Sequence, residues 1–223
     1  MKHKLFVACD TKKISKVKKI IRETQNSKLK VGYKFGLEFL NSRNGRLFLS
    51  KLKNKTIFAD LKLHDIPNTC SSPIKAIKDL KVNYVTIHIS AGLEALKAAK
   101  KVSNKMKLVG VTMLTSLDNK AIKEIGFDKD IKRLVLHQSK LANKAKLDAI
   151  VCSAQEVKIV KKVFKKEIIT PGIKFNLKKN DQKRVLTPKQ AYKNGADWTV
   201  IGRNITQGDI KRNIKKLINH LNQ

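Results

Sequence analysis

Cysteine is scarce. Cys9, Cys70 and Cys152 are the only three among 223 residues, and they form no CxxC or Cys/His spacing. An odd, scattered set supports neither a disulfide framework nor a structural zinc site, so these cysteines read as small buried hydrophobes. No run of 18 apolar residues occurs, which excludes a transmembrane helix. The first four residues lead straight into a short apolar strand instead of a secretory leader, and the chain is therefore expected in the cytoplasm with no membrane partner. Low-complexity linkers and long blocks of like charge are also missing. No disordered tail or domain junction is indicated, and residues 1–223 are expected to form a single domain. Acidic residues number only 17 against 50 Lys and Arg, for a net charge of +33. Such an excess points toward polyanions, but arginine is scarce too. Only Arg22, Arg43, Arg46, Arg133, Arg184, Arg203 and Arg212 occur, and the remaining 43 basic residues are lysines spread over every segment. Specific recognition of phosphates and base edges leans on arginine's planar fork. A lysine bias on solvated helix faces accounts for the pattern, so nucleic acid is not the expected partner, although the field draws small anions toward the protein.

What is present is alternation. Eight short apolar runs fall at Leu5–Asp10, Val31–Phe35, Ile57–Leu63, Tyr84–Ile89, Lys107–Leu114, Ala149–Cys152, Ile168–Gly172 and Trp198–Ile201. Between them lie stretches with helical spacing, such as Ile14, Val17, Ile20 and Ile21, or Ile210, Ile214, Leu217, Ile218 and Leu221. Eight strands, each followed by a helix, predict an α/β protein of the (β/α)8 TIM barrel type, with a doubly wound open sheet as the alternative. Helix starts fit this phasing. Ser15 stands near the first, Ser153-Ala-Gln-Glu156 has the spacing of a capping box, and Thr187-Pro188 puts proline at a first helical position.

In such a barrel the reactive face is the C-terminal end of the strands, and polar residues collect there. Strand one ends in Asp10, strand two carries Lys34, strand three ends in Asp60-Leu-Lys62 with Asp65 just beyond, and strand five runs out through Thr115 and Ser116. Alternation along a strand puts Asp60 and Lys62 on one side. With Lys34 and Asp65 they form an expected chain of alternating charge, which satisfies its own members and sets up a fixed field. Burying ions costs several kcal/mol each, roughly, and stability alone favours apolar residues, so this cluster is expected to be functional. The loops after strands seven and eight offer Gly172 and Gly202 for close backbone approach, with Lys174, Gln182 and Arg203 as donors. Together they make a candidate phosphate site without a Gly-rich P-loop. His64 and His88 lack a third ligand at suitable spacing and read as structural.

These residues carry a resemblance. Asp60-Leu-Lys62-Leu-His-Asp65-Ile-Pro-Asn-Thr69 resembles the DxKxxDIPxT signature of the orotidine 5'-phosphate decarboxylase family. Phe6-Val-Ala-Cys-Asp10, Lys34-Phe-Gly-Leu-Glu-Phe39, Val111-Thr-Met-Leu-Thr115-Ser116, Val151-Cys-Ser-Ala-Gln-Glu156, Thr170-Pro-Gly-Ile173, Asn180-Asp-Gln182, Leu186-Thr-Pro188 and Val200-Ile-Gly-Arg203 follow in the family's order. The resemblance implies a homodimeric barrel that converts the nucleotide orotidine 5'-monophosphate to UMP with no metal and no organic cofactor. In it Lys62 is the acid that protonates C6, and Asp60 lies against the substrate carboxylate. Lys34 and Asp10 hold ribose hydroxyls, and Asp65 with Thr69 completes the partner's site. Thr115 and Ser116 border the pyrimidine, while Gln182, Gly202 and Arg203 hold the phosphate. Lys174 stands where the family pattern has arginine, which keeps the charge, loses the bidentate fork and implies weaker phosphate binding. The hexulose-phosphate synthases and ketogulonate-phosphate decarboxylases, which use magnesium and sugar phosphates, resemble the same DxKxxD core. The continuation through Ile-Pro-Asn-Thr69, Leu-Thr115-Ser116 and Asp-Gln182 favours the orotidine enzyme.

Overall fold

The computed structural model describes residues 3–175 and 184–222. Its eight strands are β1 Lys4–Ala8, β2 Lys30–Phe35, β3 Thr56–Leu63, β4 Tyr84–His88, β5 Lys107–Val111, β6 Ala149–Val151, β7 Glu167–Thr170 and β8 Trp198–Ile201. All neighbours are parallel, and β8 pairs back onto β1 with Trp198 opposite Lys4, which closes the sheet in chain order. This is the expected (β/α)8 barrel and not the open sheet, because closure leaves no unpaired edge.

Each strand lies within or beside the apolar run that predicted it, but β1, β5 and β7 end two or three residues earlier, at Ala8, Val111 and Thr170. Met113 and Leu114 extend the apolar run past β5 because they line a cavity at the barrel mouth instead of a ladder. Helix Ile14–Thr24 buries Val17, Ile20 and Ile21, and helix Ile210–Asn222 buries Ile210, Ile214 and Leu217, as a 3.6-residue period requires. Thr187 and Gln190 form a capping box at helix Pro188–Lys193. The other two expected helix starts differ. The first helix has Lys13 at its N-cap, with Ser15 already inside it. Helix Val157–Val163 has Glu156 at its N-cap with no side-chain cap bond, because the Glu156 carboxylate is occupied by Arg184. The three cysteines are buried and free. Among the described residues no helix is long and apolar enough to cross a membrane.

The bore of the barrel is filled from the N-terminal end. Phe6 stacks on Trp198 with ring centroids 4.0 Å apart and meets the edge of Tyr84 at 5.2 Å. Phe58 closes the group at 5.0 Å from Phe6. Beside them Glu167 pairs with Lys107 at 3.0 Å and accepts the Tyr84 hydroxyl at 3.0 Å. Small residues Ala8, Ala149 and Val200 continue this inner cluster, and open space is left toward the strands' C-terminal ends. Gly32 of β2 makes room for the plug, since a Cβ there would lie 2.6 Å from the Phe6 ring and 3.1 Å from the Thr56 carbonyl. Phe6 has no route of retreat between Phe58, Tyr84 and Trp198. Gly32→Ala is therefore expected to destabilise the fold by about 1–3 kcal/mol, the range for overpacking a filled core, read as a lowered urea midpoint. An unchanged midpoint would show that the plug yields.

Candidate active site

β3 and β4 are in register at Ala59 opposite Val85 and again at Leu63 opposite Ile87. Three residues of β3, Asp60, Leu61 and Lys62, therefore face the single residue Thr86 of β4. The excess is absorbed as a bulge in which Lys62 adopts φ +48°, a left-handed conformation costing a residue with a Cβ about 1 kcal/mol. Thr86, fully buried, holds the bulge from both sides. Its Oγ1 accepts the Lys62 backbone N–H at 2.7 Å and donates to Asp60 Oδ1 at 3.0 Å. Simple alternation is thus not what brings Asp60 and Lys62 together. A regular strand would also have put both on one side, but the bulge aims Lys62 back onto its neighbour two residues away.

The other carboxylate oxygen of Asp60 takes two ammonium groups, Lys62 Nζ at 2.7 Å and Lys34 Nζ at 3.4 Å. Lys34 extends in turn to Asp10 Oδ1 at 3.2 Å. Burial pushes the Asp60 carboxyl upward, but Lys34 and Lys62, with hydrogen bonds from Lys62 and Thr86, outweigh it and hold the group below the ordinary carboxylate value. Burial likewise works against charge on Lys34, and Asp60 and Asp10 more than restore it, so its pKa is raised. The alternating chain that forms is therefore Asp10–Lys34–Asp60–Lys62, in place of the expected Lys34–Asp60–Lys62–Asp65. Asp65, expected as its fourth member, does not join it within one chain. Asp65 is exposed and its carboxylate accepts the N–H of Ile66. It stands at the entry to helix Pro67–Ala76, which carries Thr69, also exposed. The turn after Leu63 carries Asp65 off the strand axis, and no spacing rule anticipates that.

A cavity of about 270 Å³ opens over the network and is lined by Asp10, Lys34, Asp60 and Lys62 on one side and Gly172, Lys174, Gly202, Arg203 and Asn204 on the other. The candidate phosphate loops and the charged chain thus face the same space. Gly172 needs its glycine, with φ +73°. Lys174 is 8% exposed and its Nζ has no hydrogen-bond partner among the described residues, an arrangement that calls for an anion. A smaller recess of about 60 Å³ shares Lys34, Asp60, Lys62 and Val200 and is otherwise walled by Phe58, Val111, Met113, Leu114, Thr115, Val151 and Cys152. Apart from the three charged residues and Thr115, its lining is apolar. Ser116 is exposed and lines neither space, and Gln182 lies outside the described residues. His64 and His88 lie with ring centroids 5.2 Å apart and planes tilted by 33°. Burial, with His64 and Lys62 nearby, pushes His88 below its usual value.

Sequence reasoning did not single out Thr86 or Asn204. Asn204 Oδ1 accepts the N–H of Phe175 at 3.2 Å and so ties the turn after β8 to the loop after β7. The only sequence signal for Thr86 is a polar side chain in the middle of an apolar strand. Thr86→Val keeps the volume but strands the Lys62 N–H and Asp60 Oδ1 in a buried place, which costs about 1–3 kcal/mol for groups left unpaired. Urea unfolding is expected to show that loss for Thr86→Val and most of the stability restored by Thr86→Ser. Equal stability of all three proteins would remove Thr86 from this role.

Residues 3–216 match the orotidine 5'-phosphate decarboxylase / HUMPS family. Orotidine 5'-phosphate decarboxylase from Wolbachia pipientis subsp. Culex pipiens is 44% identical over 196 residues, covering 85% of this chain and 86% of that protein. The protein of the same name from Carboxydothermus hydrogenoformans is 40% identical over 225 aligned positions, covering 95% and 92%. The crystal structure of orotidine 5'-phosphate decarboxylase from Lactobacillus acidophilus is similar with a TM-score of 0.82 at 29% identity, over 99% of this chain and 100% of that one. Orotidine 5'-monophosphate decarboxylase from Methanocaldococcus jannaschii, solved with the inhibitor BMP, shares the fold with a TM-score of 0.80 at 24% identity over the whole of both chains. The matched range takes in every strand of the barrel, and this chain belongs to the orotidine 5'-phosphate decarboxylase / HUMPS family.

Proposed function

We propose that this chain decarboxylates orotidine 5'-monophosphate to UMP, the last step of de novo pyrimidine nucleotide synthesis. One observation carries the reading. A single cavity holds a carboxylate–ammonium pair 2.7 Å apart, Asp60 and Lys62, and a buried ammonium, Lys174, that has no protein partner among the described residues. The recess beside it is apolar and shares Lys62. A nucleotide fits all three features, with its phosphate on Lys174, Gly202 and Arg203 and its base in the recess bordered by Thr115. Gln182 and Ser116 complete these two ends in the same reading, and Lys34 with Asp10 takes the ribose hydroxyls.

The chemistry follows from charge. The bond from C6 to its carboxyl carbon breaks heterolytically. Carbon dioxide leaves, and the electron pair stays on C6 with no conjugated system to accept it. A fixed cation close to that carbon lowers the barrier, and Lys62 is the group held there, anchored by its own backbone and by Asp60. Lys62 then delivers a proton to C6, giving UMP and a neutral amine that recovers its proton from solvent. Asp60 lies where the departing carboxylate sits, and its low pKa keeps it charged beside that group. The exposure of Asp65 and Thr69 suits a homodimer in which both complete the partner's site, and the neighbouring groove of about 560 Å³ along Asp65, Ile66 and Pro67 offers the surface for it. Ile66 is 66% exposed on that face.

The test is loss of orotate absorbance when EDTA-treated protein meets orotidine 5'-monophosphate, with Lys62→Ala beside it. Turnover by the wild type and a loss of at least about 10⁴-fold in the variant are expected, since Lys62 serves both as electrostatic stabiliser and as acid. An inactive, folded dimer would overturn the reading, and activity on sugar phosphates restored by magnesium would replace it. Lys174 supplies the second prediction. Lys174→Ala is expected to raise the Michaelis constant by about tenfold or more, the effect of losing one charge-assisted contact, and Lys174→Arg to lower it below the wild-type value. An unchanged Michaelis constant in both variants would take Lys174 out of the phosphate site.

A further inference from the structure

Beyond Thr112, whose N–H still pairs with the Val151 carbonyl at 3.1 Å, the segment after β5 leaves the ladder, yet its Met113 and Leu114 carbonyls are buried or partly buried and need donors. Arg184 supplies a donor to each of three carbonyls in a row, and the Leu117 N–H also reaches the Leu114 carbonyl at 3.1 Å. The Arg184 guanidinium donates to the Met113 carbonyl at 3.1 Å and to the Leu114 carbonyl at 2.9 Å, and the Arg184 backbone N–H donates to the Thr115 carbonyl at 3.3 Å. The remaining fork of the guanidinium sits on Glu156, beyond β6, and the Arg184 carbonyl accepts the Ser153 hydroxyl at 3.3 Å. Arg184 and Glu156 are 8% and 2% exposed.

A buried ion pair of this kind is a poor device for stability alone, since apolar side chains of similar volume do as well or better. What it does here is geometric. Met113, Leu114 and Thr115 form one wall of the apolar recess, and their three consecutive carbonyls all accept from Arg184, through its side chain or its backbone. Arg184 itself lines a different groove, with Asp130, Arg133 and Glu156, on the far side of that wall.

We propose that Arg184, seated on Glu156, is a positioning residue that fixes the recess wall, so that recognition of the pyrimidine depends on a guanidinium that never touches the nucleotide. The inference rests on the decarboxylase reading and deepens it. Loosening the wall displaces the contacts to the base and leaves Lys174, Gly202 and Arg203 at the phosphate end unchanged.

Two ligands separate the ends of the site. UMP carries a pyrimidine, and ribose 5-phosphate does not. Calorimetric dissociation constants for both, with kcat and the Michaelis constant for orotidine 5'-monophosphate, are measured in wild type, Arg184→Lys and the double variant Glu156→Leu/Arg184→Met. The double variant removes both charges together and so avoids leaving one buried ion unpaired, while Arg184→Lys keeps the ion pair and loses the fork to the carbonyls. In both variants the UMP constant is expected to rise about tenfold, the scale of a wall displaced by a fraction of an ångström, and the ribose 5-phosphate constant to stay within about twofold. UMP binding unmoved in a folded variant, or both ligands weakened equally, would overturn the inference while the decarboxylase reading stands. A wild type that turns over no orotidine 5'-monophosphate would remove the reading and this inference together.

Discussion

The site depends on one carboxylate held by two ammonium groups. Asp60 contacts Lys62 at 2.7 Å and Lys34 at 3.4 Å with one oxygen and receives the Thr86 hydroxyl on the other. Neither Asp60 nor Lys34 is stable as an ion alone where it sits, because an isolated ion taken out of water costs several kcal/mol, roughly. Asp60 and Lys34 keep one another charged, and the local field at the barrel mouth is set before any ligand arrives. A chain of alternating charge resists rearrangement, since moving any member leaves its neighbour unpaired.

The barrel makes this arrangement possible by separating two tasks. The aromatic plug of Phe6, Phe58, Tyr84 and Trp198 fills the N-terminal part of the bore, where apolar burial stabilises the closed sheet and the Tyr84 hydroxyl is taken by the Glu167–Lys107 pair beside it. The C-terminal rim is left to residues whose geometry is costly. Lys62 in the left-handed region, Lys174 with a buried amine and Arg184 paired to Glu156 all lie there. Each is unfavourable by itself and persists because the strands beneath it are rigid.

Thr86 and Arg184 share a logic. Each is a buried polar group that reaches an irregular piece of backbone, the bulge in β3 and the segment after β5, and supplies the hydrogen bonds that regular pairing no longer provides. Where a strand departs from its ladder to shape a site, some side chain has to take over its backbone groups. The residues that do so surround the cavity without being the ones a chemical motif points to.

The fold was legible in the amino-acid sequence because burial on both faces of a parallel sheet writes eight short apolar runs, and the helices between them write a 3.6-residue period. Asp10, Lys34, Asp60 and Lys62 were legible for the converse reason, since charge at the end of an apolar run is conspicuous. The strand ends after Ala8 and Val111, the missing cap at Ser153 and the separation of Asp65 from the network were decided only in three dimensions. Glu156 shows why. Its spacing from Ser153 suits a capping box, but a charged partner 28 positions along the chain, Arg184, is the better use of its carboxylate once the barrel brings the two together. Local pattern encodes which elements form and which residues are anomalous. Which anomalies meet is set by closure of the sheet, because only closure puts the ends of β3, β5, β6 and β7 around one mouth.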